Sequence, residues 1–260
     1  MIKVVNPARA KLQAGELSIG IGLRQARTVD IAPAMRACGF DWLFIDLEHG
    51  VMSLDVAAQI SVAATAAGIT PVVRVPKGQY DLATRALDCG AFGICMPHVD
   101  TAAEAREVVE RIKYPPAGKR SIAGAMPQLG FTSHPIGAAA AAVNAELLTI
   151  VMIESPEAVA NAGAIAAVAG VDVLLIGTND LTFEMGRPGE LMHDDVAKAC
   201  TTVVAACRKH GKWAAMGGVY TDEGLRKYIG LGVRMVLAGS DLSILMAAAT
   251  ARSKMLREIK

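Results

Sequence analysis

The chain has 260 residues, and its 26 Lys and Arg residues almost balance 25 Asp and Glu residues. A formal charge of +1 excludes the basic surface that binds nucleic acid or an anionic membrane. Although 53% of the residues are apolar, no uninterrupted apolar stretch of about 18 residues occurs, and the N-terminus has no signal-peptide pattern, so we expect a cytoplasmic protein.

Cysteine usage agrees with a reducing compartment. The five cysteines are odd in number, contain no C-x-x-C pair and lie in apolar surroundings. We therefore predict that they are reduced core residues and form neither disulfides nor a zinc site.

Eight short apolar runs succeed one another along the chain, separated by Ala-rich segments with helical spacing. Each run is almost continuously apolar, which is typical of parallel strands buried on both faces. The predicted strands are Leu17–Leu23, Trp42–Leu47, Pro71–Val75, Phe92–Met96, Leu148–Ile153, Val171–Ile176, Lys212–Gly217 and Arg234–Ala238.

Residues that begin and end helices lie between these runs. The predicted helix starts are Thr28, Ser53, Thr101, Ser155-Pro156, Asp194 and Thr221, and the predicted stops are Gly39, Gly68, Gly90, Gly170, Gly211 and Gly230. Eight strand-helix units predict one (β/α)₈ TIM barrel over residues 1–260. A doubly wound sheet remains the alternative, because sequence alone does not show whether the first strand pairs with the last.

Two segments depart from this alternation. The stretch from Lys113 to Glu146 is rich in proline and glycine and too long for an ordinary connection, so we predict a functional loop or a subunit contact. The stretch from Leu242 to Ile259 is predicted to be a long apolar helix, which either closes the barrel or packs on another subunit.

In such a barrel the active site lies at the carboxyl ends of the strands, and the second strand ends with Asp46, Glu48 and His49. A carboxylate that holds an imidazole in one tautomer makes it a competent acid and base, so Asp46 and His49 are predicted to be a catalytic pair. The alternatives are a helix cap for Asp46 and a structural role for His49.

Arg74 lies in the apolar third strand and must face an anion, because an unpaired buried guanidinium is prohibitively costly. The anion is either an internal carboxylate or a substrate carboxylate or enolate. Its position at a strand end favours the substrate.

Glu154 and Asp180 follow the fifth and sixth strands, so their carboxylates are expected to converge at the barrel mouth. Like charges that lie so close need a cation or a shared proton. An oxygen-only ligand set favours a hard divalent ion such as Mg²⁺ or Mn²⁺ over zinc. The alternative is that both residues only cap helices.

Two further acids stand in unusual places. Asp88 lies near the end of a helix, where it opposes the helix dipole unless it binds something else, such as a neighbouring subunit. Asp241 follows Gly239 and Ser240 at the usual phosphate position of a barrel, and it would compete with a phosphate there. A phosphorylated substrate is therefore disfavoured.

Six segments together resemble the metal-dependent (class II) 2-keto-3-deoxy acid, or 4-hydroxy-2-oxo acid, aldolases. The segments are residues 41–50, 72–76, 87–91, 114–120, 153–155 and 177–181. The resemblance implies a barrel of the phosphoenolpyruvate/pyruvate type, a hexamer built as a trimer of dimers, C-terminal helices exchanged between partners, and a divalent ion (Mg²⁺, Mn²⁺ or Co²⁺).

The resemblance also implies roles for individual residues. Glu154 and Asp180 hold the metal, and Arg74 binds the keto acid and stabilises the enolate. His49 with Asp46 is the acid/base pair, and Asp88 reaches it from a neighbouring subunit. Glu48 steadies metal-bound water, and the amides of Gly177, Thr178 and Asn179 bind the substrate carboxylate.

The implied reaction is reversible cleavage of a 4-hydroxy-2-oxo acid to pyruvate, or a related 2-oxo acid, and an aldehyde. No lysine follows these strands at the barrel mouth, which disfavours a Schiff-base aldolase. Met152 stands where many relatives have glutamine, so oxaloacetate decarboxylation also fits the sequence. So do a malyl- or citramalyl-type CoA-thioester lyase and a barrel without catalytic activity.

Overall fold

The computed structural model describes residues 2, 4–124 and 126–259; part of the N-terminus, where no signal pattern is predicted, lies outside them. Its strands are β1 Ser18–Leu23, β2 Trp42–Asp46, β3 Thr70–Arg74, β4 Gly93–Met96, β5 Leu148–Ile153, β6 Val173–Gly177, β7 Trp213–Gly217 and β8 Met235–Ser240. Its helices are α1 Pro7–Gln13, α2 Ile31–Ala37, α3 Leu54–Ala67, α4 Tyr80–Asp88, α5 Ala102–Ile112, α6 Ile136–Glu146, α7 Pro156–Ala160, α8 Ala162–Ala166, α9 Thr178–Glu184, α10 Asp194–Lys209, α11 Asp222–Leu231 and α12 Asp241–Glu258.

The strands form a closed parallel barrel in sequence order, in which β1 pairs with both β2 and β8. This confirms the predicted (β/α)₈ fold class and excludes the doubly wound sheet. Each predicted strand overlaps an observed one, and the ends differ by at most two residues.

Most of the predicted helix boundaries match the structure, and four are wrong. One of these is the predicted stop Gly170, because α8 already ends at Ala166 with Ala167 as its cap. The side chains of Ser53, Thr101, Ser155 and Thr221 cap α3, α5, α7 and α11 by accepting backbone N–H groups. The helix predicted from Thr28 begins only at Ile31. The imidazole of His193 caps α10 in place of Asp194, and Gly232, whose φ of 121° suits glycine, ends α11 in place of Gly230.

Alternate residues of each strand face the inside of the barrel, where a compact apolar cluster fills the space. The members from β2, β3 and β5 include Trp42, Phe44, Val72 and Met152. The intervening residues pack outward against the helices. This alternation determines which residues at the strand ends point into the barrel mouth.

The amino-terminal end of the barrel is closed by α1, a helix that the apolar pattern does not predict. The Asn6 side chain caps α1 and donates to the carbonyls of Phe92 (3.0 Å) and Glu146 (2.9 Å). Ala8 and Leu12 of α1 join the interior cluster. Access to the barrel interior is therefore from the carboxyl ends of the strands.

The long excursion between β4 and β5 has a small core of its own. Tyr114, Met126 and Val143 are buried together, and the Gln128 side chain donates to the carbonyls of Leu87 and Ala91. Packing and hydrogen bonds thus fix this segment against the barrel.

The prediction that all five cysteines are core residues is wrong for two of them. Cys95, Cys200 and Cys207 are buried free thiols, whereas Cys38 is exposed and Cys89 is half-buried. The two exceptions lie at the C-terminal ends of α2 and α4, where the chain turns back toward a strand at the surface.

The last helix, α12, contacts β1 and β8 at its start but buries none of its side chains. Ile244, Leu245, Met246 and Leu256 are exposed along it. Of the described helices, none is long and apolar enough to cross a membrane.

We expect Gly20→Ala to destabilise the barrel. Gly20 lies beside Trp42 in the register of β1 and β2, and a Cβ atom at position 20 would overlap the indole ring. Overpacking of this kind costs about 1–3 kcal/mol, so the free energy of unfolding measured in urea should fall by that amount. Gly163→Ala is the matched control, because a Cβ atom there meets nothing within 4 Å. An unchanged urea midpoint for Gly20→Ala would contradict the packing described.

Candidate active site

A cavity of about 350 Å³ opens at the carboxyl ends of the strands. Its lining includes most of the predicted site residues, namely Asp46, His49, Arg74, Glu154, Gly177, Thr178, Asn179 and Asp180. Two predicted residues, Glu48 and Asp88, do not line it.

Strand alternation explains why charged residues reach this cavity. Asp46 follows the inward-facing Phe44 by two residues, and Arg74 and Glu154 follow Val72 and Met152 in the same way. Side chains two residues apart on a strand share a face. Each of these three strands, β2, β3 and β5, thus presents an apolar residue to the interior and then a charged one at the mouth.

Asp46 and Arg74 form a buried ion pair at the base of the cavity. They are register partners on β2 and β3, so their side chains are neighbours on the same face. Nε of Arg74 donates to Oδ1 of Asp46 at 3.0 Å, and Nη2 donates to Oδ2 at 2.6 Å. Burial opposes both charges, but the pairing lowers the pKa of Asp46 and raises that of Arg74. Both groups are therefore charged at neutral pH.

This pair gives Arg74 an internal carboxylate partner, which is one of the two kinds of anion that the sequence left open. The guanidinium binds internal carboxylates, since Nη1 also lies 3.1 Å from Oε2 of Glu48. A guanidinium has five N–H groups, and these contacts use three of them. Arg74 lines the cavity, so its two remaining N–H groups are available to a ligand.

The expected contact between Asp46 and the His49 imidazole is not formed. Oδ1 of Asp46 instead accepts the backbone N–H groups of Glu48 (3.1 Å) and His49 (3.2 Å). The imidazole lies at the rim, 56% exposed, with Nε2 3.8 Å from Oε2 of Glu48. Asp46 thus holds the backbone on which His49 stands, and not its ring.

Glu154 is as deeply buried as Asp46, with its side chain only 2% exposed. Burial raises its pKa to about 7, even though Oε2 accepts the backbone N–H of His98 at 2.9 Å. His98 has a positive φ of 51°, which is unusual outside glycine, and its Nδ1 lies 3.5 Å from the same oxygen. The sequence pattern is typical of a loop histidine at this position; its place directly after β4 was the signal for a role in the site.

Glu154 and Asp180 suit a hard divalent cation. Oε1 of Glu154 accepts no hydrogen bond from the described residues, and it faces Gly177, where a Cβ atom would overlap it. Asp180, in the first turn of α9, is exposed and raises the pKa of Glu154 by its charge. Two carboxylates that line one cavity are oxygen donors of the kind that Mg²⁺ or Mn²⁺ prefers.

Water and substrate oxygens would have to complete the coordination. Within residues 2, 4–124 and 126–259, no group of three or more His, Cys, Asp or Glu side chains is poised to hold a metal ion. Mg²⁺ usually keeps several waters and few protein ligands, so a pair of carboxylates is sufficient.

Gly177, Thr178 and Asn179 form the wall of the cavity beside Glu154. The Thr178 hydroxyl donates to the carbonyl of Gly217 at 2.8 Å, which ties the start of α9 to β7. Gly218 has a φ of 97° and lies against that hydroxyl, so a side chain at position 218 would collide with it.

Asp88 and Glu48 have other partners. Asp88 is half-buried at the end of α4 and binds Arg120, whose guanidinium lies 4.3 Å from the centre of the Tyr114 ring. Glu48 contacts Arg74 and the His49 imidazole, so its partners here are side chains. In this chain, therefore, Asp88 does not reach the cavity.

Asp241 and Arg24 lie at the wall of the cavity that is formed by β8 and β1, and the sequence predicts a role only for Asp241. Asp241 was predicted to compete with a phosphate, and it accepts the backbone N–H groups of Arg24, Gln25 and Ala26. Arg24 lines the cavity, although no motif in the sequence singles it out. Only the folded chain brings position 24 next to position 241.

The chain is similar to proteins that are named aldolases. A 4-hydroxy-4-methyl-2-oxoglutarate aldolase of Chaetomium globosum is 40% identical, over 94% of this chain and 92% of its own length. A hydroxypyruvate/pyruvate aldolase of Pseudomonas aeruginosa is 36% identical, over 93% of this chain and 89% of its own length. The solved HpcH/HpaI aldolase from Desulfitobacterium hafniense has a TM-score of 0.92 at 26% identity, over 98% of both chains.

The sequence model of one family spans most of the chain, matching residues 24–248. This match and the named relatives confirm the resemblance found in the sequence and the prediction of a carbon–carbon lyase. The chain belongs to the HpcH/HpaI aldolase/citrate lyase family.

Proposed function

We propose that this protein is a divalent-metal-dependent aldolase that reversibly cleaves a 4-hydroxy-2-oxo acid to pyruvate, or a related 2-oxo acid, and a carbonyl compound. The observation that carries the proposal is the buried Glu154, which shares one cavity with Asp180 and Arg74. Relatives named as aldolases that act on hydroxy-oxo acids or pyruvate support the same reaction class.

Glu154 and Asp180 would hold the metal ion, which supplies Lewis-acid polarisation of the keto acid when bound. A bound cation would also offset the repulsion between the Glu154 and Asp180 carboxylates and the cost of burying Glu154 as an anion. A carboxyl with a pKa of about 7 carries a proton for much of the time at neutral pH, and a bound cation would displace that proton. Gly177, Thr178 and Asn179 would orient the substrate carboxylate through their backbone N–H groups.

Arg74 would stabilise the negative charge that develops on the keto oxygen as the carbon–carbon bond breaks. Its guanidinium is fixed by Asp46 and Glu48 before substrate arrives, so little reorganisation accompanies the reaction. The two N–H groups of Arg74 that have no carboxylate partner belong to a buried guanidinium, and a charge-assisted hydrogen bond to the substrate is strongest in such a place.

His49 would move the proton of the 4-hydroxyl group, directly or through water. Its exposed imidazole stands at the rim of the cavity on a backbone that Asp46 anchors. Imidazole is the side chain that most often serves as general acid and base in enzymes. We retain Asp88 as a residue that acts on a neighbouring subunit's histidine.

The absence of lysine from the cavity lining supports metal over Schiff-base chemistry, as far as the described residues extend. A CoA-thioester lyase would need an exposed basic groove for the nucleotide. The basic cluster from Lys113 to Arg120 is short for such a groove, and both of these end residues are buried, which leaves Lys119 as its exposed cation. Oxaloacetate decarboxylation is a second candidate reaction. The apolar Met152 lines the cavity, and decarboxylation would develop the same negative charge on the keto oxygen as aldol cleavage.

We further propose that the chain assembles as a homo-oligomer, a hexamer built as a trimer of dimers with α12 exchanged. The support is the row of exposed apolar side chains on α12, for which this chain offers no cover. Three buried free thiols suit a reducing compartment, so we keep the cytoplasm as the proposed location.

Pyruvate release should depend on a divalent ion. With 4-hydroxy-4-methyl-2-oxoglutarate as substrate and pyruvate measured by a coupled lactate dehydrogenase assay, EDTA should lower turnover by about 100-fold or more, and excess Mg²⁺, Mn²⁺ or Co²⁺ should restore it. Glu154→Gln should remain inactive with added metal, whereas Glu157→Gln, an exposed control on α7, should behave as the parent chain. Full activity in chelator would rule out the metal, and no turnover of any hydroxy-oxo acid would rule out the aldolase.

Arg74→Ala should lower kcat/KM by about 10³-fold, because it removes a preorganised cation at the reacting oxygen. It also leaves Asp46 without its buried partner, so Arg74→Lys is the more informative variant. Lys keeps the charge but not the planar fork, and we expect a loss of about 10- to 100-fold in a chain with unchanged circular dichroism. Retained activity in both variants would mean that Arg74 only pairs internally.

Light scattering of the purified chain should give the mass of a hexamer. Leu245→Glu and Met246→Glu on α12 should shift it toward smaller species, because a buried unpaired carboxylate disfavours an interface. Lys254→Glu, a charged position on the same helix, tests whether charge alone has this effect. A monomer at every concentration would contradict the proposed assembly.

A further inference from the structure

Arg24 occupies a loop that is held from both sides. Oδ1 of Asp241 accepts the N–H of Arg24 at 3.0 Å, and Oδ2 accepts those of Gln25 (2.8 Å) and Ala26 (2.7 Å). Nη1 of Arg27 donates to the carbonyls of Arg24 (2.9 Å) and Ala26 (3.1 Å). The backbone at position 24 is thus fixed at the cavity mouth, and the Arg24 side chain leaves it at a defined place.

Two arginines line the cavity, and Arg24 has fewer contacts with carboxylates than Arg74. Its side chain is 51% exposed, and its nearest carboxylate oxygen is Oδ2 of Asp46, 4.0 Å away. That oxygen already accepts Nη2 of Arg74 at 2.6 Å. Among the described residues, none accepts a hydrogen bond from the Arg24 side chain, so its planar fork is available to a ligand.

The closed barrel places Arg24 across the mouth from the proposed metal ligands. Arg24 directly follows β1, whereas Glu154 follows β5 and Asp180 follows β6. In a ring of eight strands in sequence order, β1 and β5 are diametrically opposite. A substrate whose keto acid lies against β5 and β6 therefore extends its other end toward Arg24.

We propose that Arg24 determines specificity by binding a carboxylate at the distal end of the substrate, so that the enzyme selects 4-hydroxy-2-oxo diacids over 4-hydroxy-2-oxo acids with a neutral end. The inference rests on the proposed function, because the keto-acid end is placed by its metal ligands. In the synthetic direction, the corresponding acceptor is an oxo acid and not a neutral aldehyde.

The local charges favour a carboxylate over a phosphate at this end. The three consecutive N–H groups that could have formed a phosphate cradle are already bound to Asp241, and they hold its pKa below the usual value although burial raises it. The remaining donor is a guanidinium, whose fork matches one carboxylate in a bidentate manner.

The test compares two substrates that differ only at the distal end, 4-hydroxy-4-methyl-2-oxoglutarate and 4-hydroxy-4-methyl-2-oxopentanoate, in the metal-loaded enzyme. Turnover is measured by pyruvate release and counted as two pyruvate per diacid and one pyruvate, with acetone, per monoacid. The parent chain should prefer the diacid in kcat/KM. Arg24→Gln should lower kcat/KM for the diacid about 10- to 100-fold more than for the monoacid, mainly through KM. Arg24→Lys should recover part of this difference, and Arg36→Gln, an exposed arginine on α2, should leave both values unchanged.

Two results would overturn the inference while leaving the aldolase intact. Equal losses on both substrates would mean that Arg24 acts on the common reaction through Asp46, and equal activity of the parent chain on both would mean that no distal carboxylate is recognised. Turnover of neither substrate by the parent chain would instead reject the proposed function, and the distal site with it.

Discussion

The site depends on the buried ion pair between Asp46 and Arg74. Two opposite charges in register on adjacent strands can be buried only because each satisfies the other, and removing one partner leaves an uncompensated charge. The pair fixes the guanidinium in the cavity, draws in Glu48, and anchors the turn that carries His49. The geometry of this side of the cavity is thus fixed by the protein's own contacts.

At the wall that carries Glu154, by contrast, no described residue pairs a guanidinium or ammonium group directly with the carboxylate. Glu154 is as deeply buried as Asp46, yet it has a backbone N–H and an exposed imidazole for partners in place of a guanidinium. Its pKa therefore rises where that of Asp46 falls. In the proposed function, the unneutralised carboxylate is the place for the cation, and Arg74 is the place for the developing negative charge. Arg24, across the mouth, adds a place for a second anion.

The sequence predicts the elements of this fold well and their pairing poorly. Buried parallel strands are continuous apolar runs, so β5 could be located to the residue, and a charged residue at the end of such a run stands out. Register is a property of two strands and cannot be predicted from one strand alone. The sequence therefore did not show that Asp46 pairs with Arg74 and not with the imidazole of His49. The positive φ of His98 and the contact of Asp241 with the loop at Arg24 likewise exist only in the folded chain.

The central claim is that Glu154 and Asp180 bind the cation that activates a 2-oxo acid. The most direct measurement is a crystal structure of the chain grown with Mn²⁺ and pyruvate, with anomalous difference density collected near the manganese absorption edge. We expect one anomalous peak about 2.1–2.3 Å from an oxygen of each carboxylate, with pyruvate between it and Arg74. Manganese bound elsewhere, or pyruvate bound on Arg74 with no metal at these carboxylates, would contradict the account.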